Sequence, residues 1–365
     1  MSDLRRVWSV AALLLAAALP AAAQTLPART IALPFPVDIL TQWPQWAYDP
    51  ANRRLLAGTD KDGLFGSQDG GLSWTRIDDG SFRAPTSTNA TGHLVVSPTG
   101  ALFSLPRSTG EEPILVRSLD GGQSWQTFLA GNDRRGYQRG AAPVRGEAVT
   151  PEAQQLAFVP GRPGELLLHT EFPFMHEEGA AWRGSRLWRT TDGGPHFERL
   201  ALPPPRPSED ATLHKLHVTA AFLCAEFWIH NRQSKAQSER LLCRDPAKGT
   251  WRAVDIGGWV DTMWLTPDGA VAAVVAKKLV VSTDGMGTFR HTALPDFVAA
   301  LFLHPRDTYP AYLTIGDAVS RTVYRLDRDH TLTKLGEMPE RLVAVDFERK
   351  LAIVGFKQFH RVELE

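Results

Sequence analysis

The chain has 365 residues, with 40 Lys+Arg balanced by 40 Asp+Glu and only two cysteines. That balance excludes a global field able to draw in nucleic acid or an anionic membrane, and two thiols without a histidine pair do not complete a metal site. The length suits two ordinary domains or one large repeat domain, so pattern has to decide.

In chain order, the first element is an export signal: Arg5 and Arg6, an apolar run from Val7 to Leu19, then Ala21-Ala22-Ala23 before Gln24. The run is shorter than the roughly 20 residues that cross a bilayer. This predicts cleavage near Ala23, no transmembrane anchor, and a mature chain, residues 24–365, in the periplasm or outside a bacterial cell. Next comes an orphan strand, Thr30 to Phe35. Then a marker recurs: an apolar strand, a turn, and a second apolar strand. Its copies begin at Ala47, Leu94, Leu156, Trp264, Leu301 and Leu342, and a degenerate copy spans His217 to Ile229. That makes seven units, with six as the alternative, and a mean unit near about 48 residues suits a four-stranded blade. Gly, Pro, Asp and Ser clusters punctuate the chain throughout, as an all-β fold requires. The last unit offers three strands, ending with Phe359 to Leu364, so the orphan strand can supply its fourth and close a ring. The expected fold is a seven-bladed β-propeller closed by its two termini.

A second repeat runs out of phase with the first. Ser67-Gln-Asp69-Gly70-Gly71-Leu-Ser73-Trp74 and Ser118-Leu-Asp120-Gly121-Gly122-Gln-Ser124-Trp125 are nearly one string. Further copies carry Asp192, Gly194 and Phe197, and Asp284, Gly287 and Phe289, with worn copies at Asp245 to Trp251 and around Asp327. The octad resembles the Asp-box, or BNR repeat, of sialidases, sortilin-type receptors and photosystem II assembly factors. In such a turn the Asp is expected to accept backbone N–H groups two residues on, while Gly supplies positive φ and the aromatic ring packs between sheets. The same acid in every unit points to a structural role.

Cys224 and Cys243 flank a polar hairpin tip, Asn231 to Glu239; antiparallel neighbours there could bridge in an oxidising compartment, the alternative being two small buried thiols. Two long stretches could carry function. Asn132 to Glu152 holds Arg134, Arg135, Arg139 and Arg145 around Tyr137, a set able to grip a carboxylate, a phosphate or an acidic surface, or else a solvated loop. Thr170 to Ser185 holds Phe172, Phe174, Met175 and Trp182, a potential contact patch. His169, Glu171 and His176 match no defined metal spacing, so no metal site and no cofactor is expected. Trp43, Trp46, Trp259 and Trp264 are expected in the inter-blade core, with sugar stacking as the alternative.

Resemblance to sialidases implies an Arg-Ile-Pro signature, an arginine triad and a Tyr nucleophile. The signature is absent. Tyr48, Tyr309 and Tyr312 lie in or beside strands and Tyr324 in a worn octad, which leaves Tyr137 as the one catalytic candidate. The layout, a signal followed by one propeller, looks more like the photosystem II assembly factor group, whose members are non-catalytic scaffolds. The resemblance implies an envelope or secreted protein as partner, with a sialidase-like glycosidase and a glycan-binding lectin as alternatives.

Overall fold

The computed structural model describes residues 25–37, 44–82, 94–104, 116–127, 152–171, 185–316 and 322–364, apart from positions 60, 98, 160, 161, 163, 193–196, 220, 221, 246, 247, 267, 305–307, 356 and 357. Every regular element among them is a β-strand. No helix in this set is long and apolar enough to cross a membrane. The expected export signal, residues 1–23, lies outside the described residues.

Blade 1 shows the plan. Strands β2 (Gln45–Asp49), β3 (Arg54–Thr59), β4 (Gly63–Ser67) and β5 (Thr75–Arg76) form one up-and-down antiparallel sheet. Leu55, Leu56 and Ala57 of β3 are consecutive and all fully buried. A sheet covered on both faces demands apolar residues on both faces, so its middle strands read as runs and not as alternation. Five further four-stranded sheets follow, at 94–127, 152–200, 209–254, 260–293 and 298–337.

The last blade joins the two ends of the chain. Strands β26 (Leu342–Asp346), β27 (Leu351–Gly355) and β28 (Phe359–Glu363) are completed by β1 (Ala28–Ile31), with Ala28 opposite Val362 and Ile31 opposite Phe359. The closing strand therefore starts and ends earlier than the expected Thr30 to Phe35. Pro34 and Pro36 lack the N–H that a ladder needs, and beyond Ile31 the chain packs by side chains, Phe35 lying 5.4 Å from Phe65. Ahead of β1, the Leu26 N–H donates to the Glu337 carbonyl at 2.9 Å, which fastens the same segment to the outer strand of blade 6.

Seven apolar clusters fill the seven interfaces between consecutive blades. One of them joins Ile353 and Phe359 of the last blade to Leu55 and Trp46 of the first. The ring is closed, and the molecule is a seven-bladed β-propeller.

The octads all occupy one kind of corner, the turn from third to fourth strand. These turns, together with those from first to second strand, lie at one end of the ring, the octad face. Loops from second to third strand and the links between blades lie at the other, the connection face. Within the first octad, Asp69 Oδ1 accepts the N–H groups of Leu72 and Ser73, each at 2.9 Å, and Oδ2 accepts the Ser73 hydroxyl at 2.6 Å. The expected acceptance two residues on is thus replaced by acceptance three and four residues on, because two left-handed glycines carry the chain across before it turns back. Ser67 Oγ donates to Asp69 and accepts the Gly71 N–H, and Trp74 Nε1 donates to the Gly71 carbonyl at 3.1 Å. Asp120 and Asp284 repeat the pattern with Ser124 and Thr288, and Trp125 donates to Gly122 as Trp74 does to Gly71. In the third octad Thr190 donates to Asp192 at 2.6 Å, while Gly194 lies outside the described residues.

The fourth octad departs from expectation. Gly287 does not take the place of Gly71 and Gly122; Met286 does, with φ +68°. A Cβ on Gly122 would come within 2.9 Å of Leu64 and 3.0 Å of Leu102. The Met286 side chain has room instead, buried between blades 4 and 5 with its sulfur 3.9 Å from Cys243 Sγ. Of the worn copies, Asp245 still accepts the Lys248 N–H at 3.1 Å, whereas the Asp327 carboxylate pairs with Arg325.

Candidate binding site between blades 4 and 5

Blade 4 has the longest strands: β14 (Glu209–Val218), β15 (Leu223–Asn231) and β16 (Gln237–Arg244), edged by β17 (Trp251–Val254). Near the octad face Cys224 and Cys243 sit directly opposite in the β15–β16 register and are joined by a disulfide. From there, side chains of β15 alternate. Ala225, Phe227 and Ile229 pack toward blade 3, and Cys224 packs toward blade 5. Glu226 and Trp228 share the side of Cys224, so strand geometry aims both at blade 5.

Glu226 is 2% exposed. A buried carboxylate needs donors. One oxygen accepts the Val260 N–H at 2.9 Å, at the start of β18 (Val260–Leu265), and the other lies 3.3 Å from Nε2 of buried His217. Burial lowers the imidazole pKa of His217, with the Glu226 hydrogen bond opposing. Lys215, across the ladder from Glu226, donates through Nζ to the Asp261 carbonyl. Its ammonium is held below the usual lysine range by burial. Burial raises the Asp261 carboxyl, with Lys215 opposing and Glu226 adding to it.

Two β-bulges shape this corner. The β14–β15 register skips His214, and the β18 register skips Asp261. A bulge re-aims its extra residue. The His214 ring stacks on Trp228 at 4.3 Å and lies 4.5 Å from Trp259, and the two indoles are 6.0 Å apart. Trp228 remains 52% exposed. The result is an aromatic platform at the connection-face end of the blade 4–5 interface, backed by a buried carboxylate. Chemically, such a surface stacks against an apolar, cationic or sugar face.

The expected site residues are distributed differently. Arg134, Arg135, Tyr137, Arg139 and Arg145 lie outside the described residues, as do Trp43, Phe172, Phe174, Met175, His176 and Trp182. Trp46 packs in the blade 7–1 cluster, and Trp264 is buried with Nε1 donating to the Tyr309 hydroxyl at 3.1 Å. Trp259 does not join the core as expected, because Gly257 and Gly258 lift it out to the platform. Tyr324 lies within a strand, Thr322–Leu326, and not in an octad turn. His169 is buried with no hydrogen-bond partner at either ring nitrogen among the described residues, and burial lowers its pKa to about 3, with His214 contributing. Among the described residues no His, Cys, Asp and Glu groups are placed to hold a metal ion. A cavity of about 760 Å³ opens on the octad face between blades 6 and 7, lined by Tyr309, Arg325, Asp327, Arg328 and Lys350. His214, Lys215, His217, Glu226, Trp228 and Asp261 were missed as a group, although Glu226 inside the apolar run Leu223 to Ile229 was a visible signal.

The chain matches no protein-family model, and no curated protein matches it in sequence. Among solved structures it is similar to YCF48 bound to D1 peptide, with TM-score 0.51 and 15% identity over 94% of this chain and 98% of that one. It is also similar to an oligogalacturonate lyase in complex with manganese, with TM-score 0.55 and 11% identity over 94% and 97% of the two chains. A third likeness is to the GH74 xyloglucanase of Xanthomonas campestris, with TM-score 0.51 and 16% identity over 85% of this chain. This chain spans 50% of that enzyme's length. What they share with this chain is the propeller fold.

Proposed function

We propose that the chain is an exported Asp-box propeller that binds a protein segment on its connection face and serves as an assembly scaffold in a bacterial cell envelope. The observation that carries this reading is the exposed Trp228–His214–Trp259 platform, set on the blade with the longest strands. Export is supported by the signal layout and by a disulfide, which persists in oxidising compartments. Asp-box identity is supported by three octads with one hydrogen-bond pattern. Peptide binding is supported by the end-to-end likeness to a propeller seen with a peptide. The Arg134 to Arg145 segment with Tyr137, outside the described residues, is included as a second contact region on the strength of its arginines and its aromatic ring alone.

A lectin is the second reading, favoured by the exposed indole of Trp228, which suits a sugar ring. A sialidase-like reading rests on Tyr137 alone. The deciding experiment exposes the mature chain, residues 24–365, to a peptide array, a glycan array and a fluorogenic sialoside. The scaffold reading expects peptide binding that Trp228→Ala weakens about tenfold, with no release of fluorophore. Sialoside turnover abolished by Tyr137→Phe, or glycan binding without peptide binding, would replace it.

A further inference from the structure

We propose that the platform between blades 4 and 5 is a receptor for a cationic side chain, lysine or arginine, carried by the bound protein segment. This rests on the scaffold reading and supplies the ligand chemistry of its site.

Three features of the corner converge. First, the rings form a triangle and not a closed stack, so more than half of Trp228 is left for a ligand. An indole face is the strongest aromatic receptor for a cation. Second, carboxylates lie near that ring. Glu239 stands directly opposite Trp228 across the β15–β16 ladder, which puts both side chains on one side of the sheet about 5 Å apart at Cβ. Asp261 lies two residues beyond Trp259, and Glu226 is buried behind them.

Third, the local charge is unbalanced. His214 and His217 both have pKa values lowered by burial, so near neutral pH they contribute no charge. Lys215 faces Glu226 and Asp261, with its ammonium already engaged by the Asp261 carbonyl, and is not among the groups acting on Glu239. The carboxyl of Glu239 is raised by burial and then by Glu226, a sign of carboxylates crowding one another. An incoming ammonium or guanidinium would relieve that repulsion while covering an indole face; an acidic side chain would add to it. The chain as a whole is neutral, so this preference is a property of the corner and not of the molecule.

The test uses fluorescein-labelled decamers of lysine, of Nε-acetyl-lysine and of glutamate, titrated into the mature chain and followed by anisotropy. The lysine decamer should bind, and the other two should bind at least about tenfold more weakly. Trp228→Ala should weaken lysine-decamer binding about tenfold and Trp228→Phe less, as expected for a ring contact. Glu239→Gln should weaken it about threefold. Thermal melts of each variant check that the fold is retained, which the exposure of both side chains favours. Equal binding of the lysine and acetyl-lysine decamers, or lysine binding untouched by Trp228→Ala and Glu239→Gln, overturns the cation site while array-detected peptide binding leaves the scaffold standing. An array without any peptide binder overturns the scaffold reading itself.

Discussion

Blades 2 and 4 follow one four-strand plan and solve it in opposite ways. Among the described residues of blade 2 the three inner strands contribute three residues each, and the octad supplies the side-chain order, with Asp120 gathering Ser118 and Ser124 and Trp125 closing on Gly122. In blade 4 the corresponding strands have ten, nine and eight residues, and the third-to-fourth turn keeps only a worn octad. Its order comes from ladder length, a disulfide and a buried polar network around Glu226. A repeat held together by its ladders can carry bulges, buried charge and exposed aromatic rings, and that is where the candidate site lies.

The comparison can be broken most severely at Glu226. Glu226→Ala leaves the Val260 N–H and His217 without their acceptor inside a closed interface, and should cost about 3 kcal/mol in urea unfolding. Glu226→Gln, which keeps an acceptor, should cost clearly less. Equal losses would mean that the network is not what stabilises blade 4.

The next effect is one of pH. His169, enclosed between blades 3 and 4, titrates near 3 in the folded chain against 6.5 when free. Because the folded pKa is depressed, the unfolded chain binds the extra proton first as pH falls. Stability should therefore be full above about 6.5 and decline toward 3 with a slope of about one proton, and His169→Leu should remove that slope. Unfolding free energies measured from pH 7 to pH 4 would check it.

Blade 2 should respond at its turn. Gly122→Ala combines φ +99° with a Cβ 2.9 Å from Leu64, and should cost about 2 kcal/mol. A neutral outcome would show that the Met286 solution of the fourth octad is open to the second as well. The smallest change is Asp120→Ala, about 1 kcal/mol, since its donors remain within reach of water. Hydrogen bonds led by the Ser124 hydroxyl hold the Asp120 carboxyl at about 2, so its contribution is present above the unfolded carboxylate range near pH 4 and is lost as pH falls through 2. The same acid limb should be shallower in Asp120→Ala.

The ring, its blade number and its closing strand were readable because their signals are local. The eight residues from Ser67 to Trp74 contain the donors that the Asp69 carboxylate gathers and the carbonyl that the Trp74 indole reaches, and an apolar pair such as Leu102 and Phe103 declares a strand buried on both faces. Blade 4 was the unit read as degenerate, His217 to Ile229, for the reason that makes it the candidate site. Lys215, His217 and Glu226 interrupt its apolar run, and from sequence alone a charge inside a strand is indistinguishable from a frayed end. Likewise Trp259 and Trp264 look alike as residues. One is carried outward by two glycines of positive φ, and the other is drawn under Tyr309.

By itself, then, the amino-acid sequence determined the turns, the count of sheets and the meeting of the two termini, because each depends on contacts made within one hairpin or on a strand left without a neighbour. Only the tertiary structure decided which residues share the corner between blades 4 and 5. Positions 214, 228, 239, 259 and 261 come from four strands or their approaches in two sheets. Their convergence depends on register, on two bulges and on the radial stacking that buries Glu226 while leaving Trp228 in water.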